Sequence, residues 1–202
     1  MEALIPAHNS PIRIRPEMLQ GMSEEEFFTF CQDNPQLRLE RDADGEIIFM
    51  SPSGSSASNL IVEIVFELNL WNRTSKYGKV HESSGGFTLS DGSVRAADVA
   101  IVSHHRLSGI TQAEYARFAP VAPEFVVEVA SPSDNLTEQR AKMKLWLQNG
   151  VELGWLIDPK TESLWVYTSA TKLPQKVEGF QQSLSAEPTL PGFSLDLSLL
   201  IQ

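Results

Sequence analysis

Two acids interrupt stretches that are otherwise apolar. Asp98 lies in Ala97–Val102 and Glu128 lies in Glu124–Ala130. Both stretches read as buried strands, and a third, Leu153–Ile157, follows them. An ionised carboxylate inside a buried strand costs several kcal/mol unless something pairs with it. A divalent cation held between two acids on neighbouring strands is one such partner, and it would bring metal-assisted hydrolytic chemistry with it. A strand end open to water, or a pairing with Arg95 or Arg140, is the competing solution. Glu63 and Glu67 are four residues apart on a predicted helix, Ser58 to about Lys76, and share one side of it. Such a face is usually solvated, but Glu63 is a further candidate ligand if that helix packs beside the two strands. His104 and His105 are adjacent, point to opposite sides of an extended chain, and read as loop residues. The serine-rich stretch SPSGSSAS over 51–58 reads as a loop and lacks the Gly-Lys-Ser/Thr ending of a phosphate cradle. There is no GxSxG elbow for a serine hydrolase. A glycosidase-type carboxylate pair is disfavoured because nothing resembles a sugar platform.

The elements around these residues can be read from local signals. Leu136 to Asn149 has helical periodicity, and Leu136, Met143, Trp146 and Leu147 cluster on one side as the buried stripe. At about 100° per residue, Lys142 and Lys144 fall on opposite borders of that stripe, so periodicity lets either look toward the strands. Gly150 is placed to end the helix. Ser23 with Glu26 forms a capping box for a helix that stops near Asn34–Pro35. LRLERDADGEIIFM is a hairpin about Asp44–Gly45, and its glutamates read as surface residues. Lys79–Ser90 reads as a strand interrupted at Gly85–Gly86, and Thr111–Phe118 as a short helix. VELGWLIDP and TESLWVYT read as paired strands, and FSLDLSLLI as a closing edge element.

Length and composition fit one domain, residues 21–202, preceded by an extended arm over residues 1–20. Hydrophobic residues make up 42% and charged residues 21%, ordinary values for a globular chain. No apolar run approaches a membrane span, and no basic flank precedes an apolar signal core. Cys31 is alone, which excludes an intrachain disulfide framework and a CxxC knuckle. A cytoplasmic setting is therefore expected. The net charge of −10 argues against nonspecific binding of polyanions, although a local cationic groove or a metal can still contact phosphate.

The order helix, three strands, helix, strand, with Asp then Glu on neighbouring strands, resembles the PD-(D/E)XK nuclease core. FTLSDGSVRAADVAIV, PEFVVEVASPSD and KMKLWLQNGVELGWLIDP are similar to the Uma2 family of restriction-endonuclease-like proteins, also catalogued as DUF820. MSEEEFFTF, the hairpin and SPSG extend the similarity over about residues 20–200. The resemblance implies an α/β (α+β) fold: a central mixed sheet flanked by helices, with an N-terminal helix-hairpin extension. It implies a Mg²⁺- or Mn²⁺-dependent endonuclease acting on DNA. Asp98 would be the first motif acid, with Ala97 where proline is usual, and Glu128 the second. Ala130 stands where the superfamily lysine is usual, and Lys142 on the following helix matches the displaced lysine, with Lys144 in reserve. The Ala130 carbonyl would supply another metal oxygen, and Gln139 would lie on the same helix border. A homodimer is expected because cleaving two strands needs two sites. A non-catalytic member that keeps the fold as a binding or assembly module is the alternative; the acidic charge and the missing in-strand lysine favour it.

Overall fold

The computed structural model describes residues 12–14, 21–131, 134–171 and 173–201. The chain begins with β1 (Ile12–Ile14), α1 (Glu24–Asp33), β2 (Leu39–Arg41), β3 (Ile47–Phe49) and the long helix α2 (Ser55–Ser75). β4 (Gly78–Glu82), β5 (Phe87–Thr88), β6 (Val94–Arg95) and β7 (Val99–Ser103) follow, then the short helices α3 (His104–Leu107) and α4 (Gln112–Tyr115). β8 (Phe125–Val129), α5 (Leu136–Gln148), β9 (Leu153–Asp158), β10 (Ser163–Thr168) and β11 (Gln175–Glu178) come next. A hairpin of β12 (Ser183–Ser185) and β13 (Ser194–Asp196) leads to a 3-10 helix, Leu197–Leu200.

The central six-stranded sheet has the order β11-β10-β9-β8-β7-β4. All its pairings are antiparallel except β8 with β9, which run parallel and are joined by the crossover helix α5. This is the mixed sheet flanked by helices that the sequence implied. Strands buried on both faces divide their side chains between two cores. Phe125, Val127 and Val129 join Leu60, Ile64 and Leu68 of α2 on one face. Val126, Ala100 and Leu156 join Met143 and Trp146 of α5 on the other. Among the described residues no helix is long and apolar enough to cross a membrane.

A second sheet, β1-β3-β2-β6-β5, carries the N-terminal hairpin. Residues 12–14 of the expected arm pair with β3 in this sheet, and the rest of residues 1–20 lies outside the described residues. The Ser23–Glu26 capping box is present. Lys79–Ser90 is not one strand: β4 belongs to the central sheet and β5 to the second, and Gly85–Gly86 makes the transfer. A Cβ at Gly86 would lie 2.4 Å from the Phe118 ring, so only glycine fits that crossing. α2 begins inside the stretch read as a serine loop, with Gly54 as N-cap. His104 and His105 open α3 instead of lying in a loop, because Ser103 caps its first turn. The C-terminal element is a separate two-stranded sheet, not an edge of the main one, and its Leu195, Leu197 and Leu200 complete the α2 core.

Candidate active site

Asp98 is not inside a strand, as its apolar flanks suggested, but immediately before β7. The antiparallel register pairs Val99 with Val127, so one residue further along Asp98 comes beside Glu128. The backbone N–H of Val129 donates to Asp98 Oδ2 at 2.8 Å and fixes that carboxyl at the strand edge. Glu128 is buried in β8 on the α5 side of the sheet, where Trp146 Nε1 donates to its Oε1 at 2.9 Å. The two acids far apart in sequence therefore share one location.

Lys142 closes this location from α5. Its ammonium lies 3.0 Å from Glu128 Oε1 and donates to the Ala96 carbonyl at 2.9 Å. Lys144 is exposed on the other border of the helix. The choice that periodicity left open falls to Lys142, because both its carboxylate and carbonyl partners lie on that side. Arg140 lies over the Trp165 ring at 4.8 Å. Arg95 pairs with a third acid, Glu40.

The hairpin pattern places Glu40 on the surface, whereas the fold buries it. It is 3% exposed. Its Oε2 accepts from Arg95 Nη1 at 2.9 Å, its Oε1 accepts from the Ala96 N–H at 3.1 Å, and Lys142 Nζ lies 3.1 Å from that same Oε1. β2 carries it there because β2 pairs with β6, the strand just before Asp98. The signal available in the sequence was Arg95: a cation in a short apolar run also needs a partner, and the two motif acids were not the only ones on offer. Glu46 of the same hairpin is buried as well. Asp134, for which the sequence carries no local signal, accepts from the Ser131 N–H at 2.7 Å, and its charge acts on Asp98. Gln139 Nε2 lies 3.4 Å from Asp134 Oδ2, which puts Gln139 on this border of the site.

The electrostatics follow from three carboxyls packed around one ammonium. Burial, reinforced by the charges of Asp98 and Glu40, pushes Glu128 up to about 8 against the pull of Lys142. Burial also raises Asp98, with Lys142 and the Val129 N–H opposing. Burial works against the charge of Glu40 too, yet Lys142, Arg95 and the Ala96 N–H together hold its carboxyl below the ordinary value. Lys142 is likewise desolvated, but Glu128, Glu40 and Asp98 raise it, so it stays an ammonium. Lys142 is thus shared almost equally by Glu128 and Glu40, and burial beside two other carboxyls makes Glu128 the one whose charge is least favoured.

Glu63 is partly exposed on α2, whose buried residues pack on the opposite face of the sheet. The fold does not bring it to Asp98 and Glu128. Ala130 is buried at the end of β8, with its N–H donating to the Ile157 carbonyl at 2.8 Å. Among the described residues no three His, Cys, Asp or Glu side chains gather as a ready metal cluster. The donor chemistry nonetheless suits a hard divalent cation. Two facing carboxyls are available, and the raised Glu128 marks an unmet demand for positive charge. The remaining positions would fall to a backbone oxygen and water.

A family model described as "Uma2: Putative restriction endonuclease" matches residues 24–198. No curated protein matches the sequence. Among solved structures, a protein from Anabaena variabilis described as a putative nuclease belonging to DUF820 is similar, with a TM-score of 0.73 and 18% identity. The similarity covers 89% of this chain and 97% of that one, and at this identity it speaks for the fold.

Proposed function

The chain belongs to the Uma2 family, and on that premise we propose that it is a divalent-cation-dependent endonuclease hydrolysing phosphodiester bonds in DNA. The observation that carries the reading is the convergence of Asp98, Glu128 and the Lys142 ammonium, from three separate elements, at one partly buried location. Asp98, Glu128 and the Ala130 carbonyl would hold Mg²⁺ or Mn²⁺, which when bound polarises phosphate and acidifies water. The protein supplies the rest. The Val129 N–H fixes the orientation of Asp98, and Trp146 fixes that of Glu128. Glu128 must give up its proton before it can act as an anionic ligand. Lys142 then turns its ammonium toward the charge that develops on the phosphate oxygens, while Glu40 retains the opposite side of that ammonium.

Supercoiled plasmid incubated with Mg²⁺ or Mn²⁺ tests this directly, alongside calorimetric Mn²⁺ titration. Cleavage should be abolished by a chelator and fall by about 100-fold or more in Lys142→Met, with Mn²⁺ binding retained. Asp98→Asn and Glu128→Gln should lose both cleavage and Mn²⁺ binding. A second reading is favoured by one feature: Lys142 lies between Glu128 and Glu40 and already supplies a cation to each. In that reading the chain is a nuclease-fold binding or assembly module. A wild-type protein that binds no Mn²⁺ and cuts no DNA decides for it.

A further inference from the structure

Five of the seven large apolar side chains exposed among the described residues belong to α2 and the adjoining C-terminal segment: Val62, Phe66, Leu70, Leu199 and Ile201. The first three are 59%, 58% and 51% exposed and recur every four residues, so they form a ridge on the side of α2 turned away from the core. A contiguous apolar patch of this kind marks an interaction surface. We propose that this ridge is a twofold interface between two copies of the chain, with the α2 helices packed antiparallel.

The identity of the occupant follows from the self-complementarity of the helix. At about 100° per residue, Val62, Phe66 and Leu70 span about 80°, Asn59 and Arg73 fall inside that arc, and Glu63 lies at its border. A twofold axis through Phe66 sets Phe66 against its own copy and Val62 against Leu70 of the partner subunit. The same operation lays Arg73 over Asn59 of the partner subunit and about one turn from Glu63 of the partner subunit. Arg73 is exposed, and neither it nor Glu63 makes an ion pair among the described residues. Each chain thus offers, on one surface, an unpaired cation beyond one end of the ridge, an unpaired acid flanking its other half and an apolar centre, which is what an isologous contact requires. The helix pair would bury on the order of 600 Å² in total, and the exposed Leu199 and Ile201, at the end of a segment that packs against α2, are available to extend this toward the ~1,000 Å² of a specific interface. α2 packs on the sheet face opposite α5, so both Lys142 sites stay open in such a dimer.

Sedimentation velocity on the full chain reads the outcome, independently of any nuclease activity. The wild type should sediment at twice the monomer mass at micromolar concentration. Phe66→Asp, at an exposed position, should weaken dimerisation by about 100-fold or more with an unchanged circular dichroism spectrum. Arg73→Glu should weaken it roughly tenfold through two symmetry-related pairs, and Glu63→Arg with Arg73→Glu should restore it. A monomeric wild type overturns the proposal, as does a Phe66→Asp variant that remains a full dimer or a double variant no better than Arg73→Glu alone.

Discussion

Lys142 is one ammonium serving three carboxyls, and the imbalance sets the behaviour of the site. Glu40 is satisfied by two cations and a backbone N–H, whereas Glu128 has the shared Lys142 and the Trp146 N–H, which do not offset its burial and its acidic neighbours. The folded protein therefore holds a proton on Glu128 up to about 8, which the unfolded chain releases near the ordinary value of 4.5. Between those values the native state binds more protons than the unfolded state, so this residue's contribution to stability falls as pH rises. Glu40 runs the other way, and its contribution is lost on acidification below its lowered value. In thermal melts of metal-free protein, Tm should decline as pH rises toward and past 8. Glu128→Gln should flatten that decline and melt at or above the wild type on the alkaline side. A wild-type Tm that is constant across this window would show that Glu128 is ionised throughout. Glu40→Gln strands Arg95 and Lys142 without their shared carboxylate in a buried setting. It should cost about 3–5 kcal/mol in chemical denaturation, against a few tenths for the surface residue it resembles in the sequence.

At the level of elements, what was local was legible. The capping box at Ser23–Glu26, the Asp44–Gly45 turn and the buried Met143–Trp146 stripe are each set by neighbours a few residues away, and each stands where the sequence placed it. Lys142 against Lys144 could not be settled, because the two lie symmetrically about the stripe and only a distant strand breaks the tie. Glu40 was missed for a related reason. Alternation along β2 separates two faces, but which of them the second sheet buries depends on β6, more than fifty residues downstream. The start of α2 inside a serine-rich stretch shows the same limit, since packing of Ala57, Leu60 and Ile64 outweighs a weak local preference. Gly78 is a further case that only tertiary structure explains. It opens β4 opposite Ser103, and a Cβ there would sit 1.9 Å from the Val102 carbonyl oxygen. Backbone cannot step aside as a side-chain tip does. Gly78→Ala should therefore destabilise the protein by about 3 kcal/mol or more by separating β4 from β7. A loss under about 1 kcal/mol in a denaturant titration would mean that the β4–β7 edge gives way freely.

Over the whole molecule, the Glu40 network joins two sheets and spends cations that a DNA-binding surface would otherwise use. The chain has 16 Lys and Arg against 26 Asp and Glu. Arg95 and Lys142 are committed to Glu40, Arg106 to Glu124 and Glu152, and Arg117 to Glu25. Arg41 is buried against the Met22 and Gly92 carbonyls. Five of the sixteen cations are so committed and the other eleven face a chain-wide excess of acids, so phosphate contact should depend on the cation held at Asp98 and Glu128. Binding of a labelled duplex, followed by anisotropy with Ca²⁺ in place of Mg²⁺ so that it stays intact, should show two features. Without a divalent ion, affinity should be negligible. With one, the logarithm of the binding constant should fall with that of monovalent salt at a slope of only about −1 to −3, well short of the roughly −5 to −9 of a protein clamping 6–10 phosphates. A steep slope, or tight binding in chelator, would mean that a basic groove assembles despite the −10 charge and that the acidic pair is not what holds the backbone of the substrate.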